Sequence, residues 1–237
     1  MSEWGGTGEG LPGEIASALS GHGLILRGGF VFGEDEARPQ GLSGAPATAV
    51  LLVGQAGATH WPHFLRWRQS RSREIADPLD SWSREAIGAV AEFFGARAVL
   101  PSDRPYLPFQ QWAMRAEGLK PSPLGILMHP DYGLWHAYRG ALLFDVEVAI
   151  EAPRNPIHLC DLCVGKPCLR SCPVDAHSEA GFAYGDCLRH VRSPSGNACL
   201  TGGCLDRNAC PHGQGHRYPA ELQALHMAAF AGAAEEF

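Results

Sequence analysis

All eight cysteines of this 237-residue chain fall between Cys160 and Cys210. Whatever fold forms must therefore gather eight thiols within the last third of the polypeptide. Cys160, Cys163, Cys168 and Cys172 read C-x2-C-x4-C-x3-C-P; Cys187 stands alone; Cys199, Cys204 and Cys210 close the series, the last again followed by proline. A proline directly after a cysteine blocks helix continuation and turns the chain away from whatever that thiol holds. Thiols this dense serve iron–sulfur cages, structural zinc or disulfides. Zinc knuckles usually combine one C-x2-C with another, and among these cysteines Cys160/Cys163 alone has that spacing. Disulfides need an oxidising compartment, whereas the start MSEWGGTGEG carries neither the basic nor the apolar part of an export signal, so a cytoplasmic protein is expected.

The first four cysteines resemble the two-cluster ferredoxin run C-x2-C-x2-C-x3-C-P, in which the fourth cysteine ligates the other cluster. That crossed pattern implies two [4Fe–4S] clusters. Cys160, Cys163, Cys168 and Cys210 would hold the first, and Cys172, Cys187, Cys199 and Cys204 the second.

The front of the chain is longer than cluster binding requires. Thr48–Val53 is a continuous apolar run that suits a strand buried on both faces. Further strands are expected over 23–32, 124–128 and 134–144, with another over 146–150. Helices are expected over 14–19, over 61–73 with its Trp61, Phe64 and Trp67 stripe, from Asp80 to Gly95 with Trp82, Ala86, Val90 and Phe93 on one face, and after Pro108 with Phe109, Trp112, Ala113 and Ala116 buried. Strands, a block of helices and strands again predict an α+β layer. Residues 1–152 are read as this domain, 153–218 as the small cluster domain and 219–237 as a C-terminal helix and tail. No apolar stretch approaches a bilayer span, so no membrane partner is expected. The net charge of −6 argues against nucleic acid as a partner.

The segment His129-Pro-Asp-Tyr-Gly-Leu-Trp135-His-Ala-Tyr-Arg139-Gly140 resembles H-P-x-[YF]-G-x-W-x-x-x-R-G of the cobalamin-processing proteins that remove upper ligands from cobalamin. The helix headed by Pro108, the glycine-containing loop after it and the strand to Phe144 are similar in layout to epoxyqueuosine reductases. Those enzymes and the corrinoid reductive dehalogenases also carry a four-cysteine run ending in Cys-Pro, an isolated cysteine, and three more ending in Cys-Pro. The resemblance implies a nitroreductase-like α+β domain cradling a corrinoid, joined to a two-cluster ferredoxin-like domain that supplies electrons. It implies cofactor-binding roles for Arg139, Trp135 and His129, although Trp135 equally suits a core and His129 a turn before Pro130.

The departures are specific. Counting back three residues from Pro108, where epoxyqueuosine reductases place the catalytic acid, gives Pro105; Asp103 is the nearest acidic candidate. The C-terminal substrate-binding extension of those reductases has no counterpart before Phe237, and the last three cysteines are spaced more widely than in the family. Asp175-Ala-His177-Ser-Glu-Ala180 approaches the cobalamin motif D-x-H-x-x-G but lacks its glycine and is read as chance. The leading expectation is an iron–sulfur oxidoreductase passing electrons to a corrinoid, or alternatively a flavin, or to a small-molecule substrate, and fed by a redox donor protein. A ferredoxin-type carrier and a cobalamin-handling chaperone or decyanase are the alternatives.

Overall fold

The computed structural model describes residues 10–72, 74–153 and 155–232. Residues 1–9, the Arg73 end of the expected second helix and the last five residues of the expected tail lie outside them. The chain divides into two compact units. The first runs to Gly118 and resumes over Ala137–Asn155; the second comprises Leu119–His136 and the chain from Pro156 onward.

The first unit is built on a four-stranded sheet in the order β1-β2-β6-β3. Its strands are β1 (Ile25–Val31), β2 (Ala49–Ala56), β3 (Arg97–Val99) and β6 (His136–Phe144, of which His136 belongs to the second unit). All eight residues of β2 are buried, as its unbroken apolar run predicts. The Thr48 N–H donates to the Phe144 carbonyl, while Gly54 faces the Ala137 carbonyl at the other end, so β2 and β6 run antiparallel. Gly54 is required there: a Cβ would lie 2.3 Å from the Ala137 oxygen.

Helices α1 (Leu11–Ser20), α3 (Pro78–Phe93) and α4 (Phe109–Glu117) pack on this sheet, and α2 (Trp61–Gln69) packs on α3. Helix α3 starts with proline in its first turn, where a missing N–H costs nothing, and buries Leu79, Trp82, Ala86, Ile87, Val90 and Ala91. Phe93 departs from the expected stripe. It is 70% exposed, and Phe94, one residue past the helix, takes the buried place instead. Helix α4 buries Phe109, Trp112, Ala113 and Ala116 as expected and ends at Gly118 in the left-handed conformation. The expected strand over 146–150 does not form, whereas β3, three residues long, was not anticipated.

Strand β1 carries a bulge. Its register against β2 shifts between Leu26 and Gly29, where Gly28 has φ +67°. The irregularity leaves Arg27 buried at 2% exposure. There the guanidinium meets Glu117 of α4 through two bonds of 2.9 Å and lies 4.6 Å over the Tyr138 ring of β6.

The second unit consists of short pieces. A hairpin of β4 (Lys120–Pro121) and β5 (Leu127–Met128) precedes the turn His129–Gly133. After Pro156 come α5 (Leu159–Leu162), the pair β7 (His177–Ser178) and β8 (Gly181–Phe182), then α6 (Tyr184–Val191), α7 (Asn197–Gly202), α8 (Leu205–Asn208) and α9 (Ala220–Ala231). Among the described residues two apolar clusters of this unit include cysteines: Met128 and Leu134 pack with Cys160 and Cys210, and Val191 and Ala231 with Cys199. Among the described residues no helix is long and apolar enough to cross a membrane.

Candidate functional site

Short helices and tight turns deliver the cysteines. Cys160 lies in α5 and Cys163 caps it; Cys168 sits in a single helical turn whose preceding residue, Lys166, is left-handed at φ 38°. Cys187 is carried by α6, Cys199 by α7, and Cys204 caps α8. All eight are free thiols. They sort into two electrostatically linked sets. Burial pushes the Cys160 thiol up to about 11, and Cys210, Cys168 and Cys163 add to the shift. Burial likewise pushes Cys187 up to about 11, with Cys204, Cys172 and Cys199 contributing. Free thiols held this way keep their protons, and a metal must displace them on binding.

The first set lines a small cavity together with Met128, Leu134, Lys166 and His212. Among the described residues no three His, Cys, Asp or Glu side chains converge on a point that could hold one metal ion; in the first set the sulfurs border a space instead. In the second unit Asp206 is fully buried. It accepts the Ser171 N–H at 3.0 Å and lies 2.8 Å from His177 Nδ1, whose ring stacks on Phe182. The carboxyl group also raises the thiols of Cys187, Cys199 and Cys204 in the second set and of Cys168 in the first, behind the larger effect of burial. His177, read in the sequence as part of a chance motif, thus has a partner within the unit, and Asp206 is a buried carboxyl group that carried no sequence signal.

The segment from His129 to Gly140 is divided between the two units. In the second, His129 Nδ1 accepts the N–H groups of Asp131 and Tyr132 at 3.0 and 3.2 Å, and its ring stacks on Tyr132 with 4.0 Å between centroids. It ties the turn around Pro130. Trp135 is fully buried between Tyr218 and the Arg207 guanidinium, the latter 4.6 Å from its ring centroid, and its Nε1 is closed off without a hydrogen-bond partner. In the first unit Arg139 donates from Nε to buried Gln55 at 2.9 Å and approaches Asp80 at 4.0 Å. Gly140 packs where a Cβ would meet Ile87 and the Val99 carbonyl within 3 Å. Gly133 and Gly140 of the segment are thus explained by close packing alone.

Asp103 closes a turn. One carboxylate oxygen accepts the Leu100 N–H at 2.8 Å and the other pairs with Arg84. Partial burial works against ionisation, but these bonds and the Arg84 charge hold its carboxyl below the usual range. A cavity of about 560 Å³ in the first unit lies between Pro12–Gly13, Leu26, Gly28 and Leu51, and Ala149–Glu151. Arg139 and Asp103 do not line it.

No protein-family model matches the sequence, and no curated protein matches it either. Solved structures do. The chain shares its fold with a B12-trafficking protein, CblC of C. elegans, described as a homologue of human MMACHC: TM-score 0.53 and 15% identity over 94% of each chain. It also resembles an epoxyqueuosine reductase solved with an epoxyqueuosine-modified tRNA-Tyr stem loop, with TM-score 0.52 and 14% identity over 89% of this chain and 67% of that one. The Bacillus subtilis epoxyqueuosine reductase gives TM-score 0.50 at 14% identity, covering 89% and 68%. The mixed α/β fold expected from the sequence is therefore the one these proteins share.

Proposed function

We propose that the chain is an iron–sulfur redox protein acting on a corrinoid. Cys160, Cys163, Cys168 and Cys210 hold one [4Fe–4S] cluster; Cys172, Cys187, Cys199 and Cys204 hold the other. A nitroreductase-like first unit holds the electron acceptor, and a separate redox protein supplies the electrons. The observation that carries this reading is the sorting of eight free thiols, four buried and four partly exposed, into two linked sets, with the fourth cysteine of the first run assigned to the second set. The clusters would supply low-potential electrons, since such centres reach about −700 mV. The protein's part is to keep water from the first set with Met128 and Leu134, and to hold Arg139 rigid through Gln55 for a polar group of the acceptor. Asp103, already committed to Arg84, takes no proton-donor role.

The second reading is cobalamin handling, in which the same electrons reduce cobalt during ligand removal. It is favoured by the equal length of the C. elegans neighbour, which is covered to 94%. The tRNA stem loop bound to one epoxyqueuosine reductase withdraws the exclusion of nucleic acid that net charge suggested.

Anaerobic purification followed by iron and sulfide analysis is the first test. Two cubes require about eight of each per chain. Colourless protein, or zinc in place of iron, would end the redox reading. Titration with hydroxocobalamin beside a flavin control then identifies the acceptor: a spectral shift with the corrinoid alone is expected, and a shift with flavin alone would replace the corrinoid in the proposal.

A further inference from the structure

The wall of the first thiol set contains polar side chains that the cluster reading leaves unused, Ser122, Lys166 and His212, and His212 among them is buried with an unpaired nitrogen. His212 follows Cys210-Pro211 and lines the same cavity as Cys160, Cys163, Cys168 and Cys210. Its backbone N–H donates to the Cys210 sulfur. Its Nε2 is shut off from solvent and has no hydrogen-bond partner. A buried donor left unmade is costly, so an imidazole nitrogen in this position calls for an acceptor that completes the site.

The backbone that carries the ring is also held in place. Gly133 (φ +58°) and Gly213 (φ +68°) cross where a Cβ on the first would sit 2.3 Å from the His212 carbonyl oxygen, and a Cβ on the second 2.2 Å from the Tyr132 carbonyl oxygen. Two chain segments thus touch backbone to backbone at the His212–Gly213 peptide, which fixes the backbone from which the His212 ring enters the cavity.

We propose that His212 is a positioning residue whose Nε2–H donates a hydrogen bond to a sulfur of the cluster held by Cys160, Cys163, Cys168 and Cys210, and that this bond raises the reduction potential of that cluster alone. The proposal rests on the cluster reading above. Reduction adds one negative charge to the cube, and an N–H aimed at its sulfur stabilises the reduced form more than the oxidised one. The buried carboxyl group of Asp206 works the other way, on three thiols of the second set, Cys187, Cys199 and Cys204, and on only one of the first, Cys168. The two clusters would then differ in potential, with the first the easier to reduce.

The test is a redox titration of the anaerobic full-length protein, followed by electron paramagnetic resonance. His212→Phe keeps a ring of similar bulk and removes the donor; His212→Gln retains an N–H. His212→Phe is expected to lower the reduction equilibrium constant of one cluster about tenfold, equivalent to about 59 mV for one electron. The other cluster should stay in place, and His212→Gln should recover most of the shift. An unmoved potential in His212→Phe with full iron content would overturn the proposal, as would an equal shift of both clusters. Should His212→Phe fail to assemble its first cluster, the wild type decides. Pulsed resonance on protein labelled with 15N-histidine should show a nitrogen coupling on one cluster that His212→Gln lacks, and absence of that coupling in the wild type refutes the bond. Iron-free protein would sink the cluster reading itself, whereas brown protein with an unmoved potential would sink this inference alone.

Discussion

Arg27 is the residue at which local and global demands meet most sharply. A strand bulge leaves a guanidinium at 2% exposure, and it is tolerated because Glu117 offers two matched oxygens and Tyr138 caps the group at 3.1 Å from Nη2. Tyr138 keeps its proton firmly: burial raises its pKa, Glu117 adds to the shift, and Arg27 only partly opposes it. Removing one partner leaves a buried charge alone. Arg27→Met is therefore expected to cost about 3–5 kcal/mol, read as a lower urea midpoint, while Tyr138→Phe costs about 1 kcal/mol. The paired variant Arg27→Met with Glu117→Leu should recover much of the loss. An Arg27→Met protein as stable as wild type would show that the pair contributes nothing. Nothing in the local sequence, with Leu26 before it and two glycines after, marks this arginine as buried; its partner lies far along the chain.

At the level of elements, the glycines of the His129–Gly140 segment separate packing from function. Gly133→Ala forces a left-handed alanine against the His212 backbone, whereas Gly125→Ala, also left-handed at φ +76°, meets nothing within 4 Å. The second substitution is expected to cost about 1–2 kcal/mol through conformation alone. The first should cost clearly more and lower iron content with it; equal losses in thermal melts would refute the crossing. Much of the architecture was legible because it rests on local pattern. The run at Thr48–Val53 announced the central strand, and the spacing of Phe109, Trp112, Ala113 and Ala116 announced α4. Strand β3 escaped because three residues carry no period, and its place is set by pairing with β6. The stripe of α3 slipped at its end because the chain leaves the helix at Phe94, so helical spacing no longer applies there. The cysteine spacing suggested which thiols share a set. It could not reveal His212 or Asp206, whose significance is created by the fold.

For the molecule as a whole, the two units differ in what sustains them. The first has a sheet with a fully buried central strand. In the second, two of the apolar clusters among the described residues include thiols, so on the proposed reading bound metal would add to its folding free energy. Chelating the iron should therefore strip amide-exchange protection from 119–135 and 156–232 while leaving 49–56 and 137–144 protected. Uniform loss across both units would contradict that division. The path of the chain adds a temporal constraint. It enters the second unit at Leu119, leaves after His136 and returns at Pro156. On the ribosome, Met128 and Leu134 emerge long before Cys210, and at about 5–20 residues per second the wait is on the order of ten seconds. On the proposed reading the first cluster cannot be completed before Cys210 is made, and a fragment starting at Pro156 would present its thiols without the apolar wall made earlier in the chain.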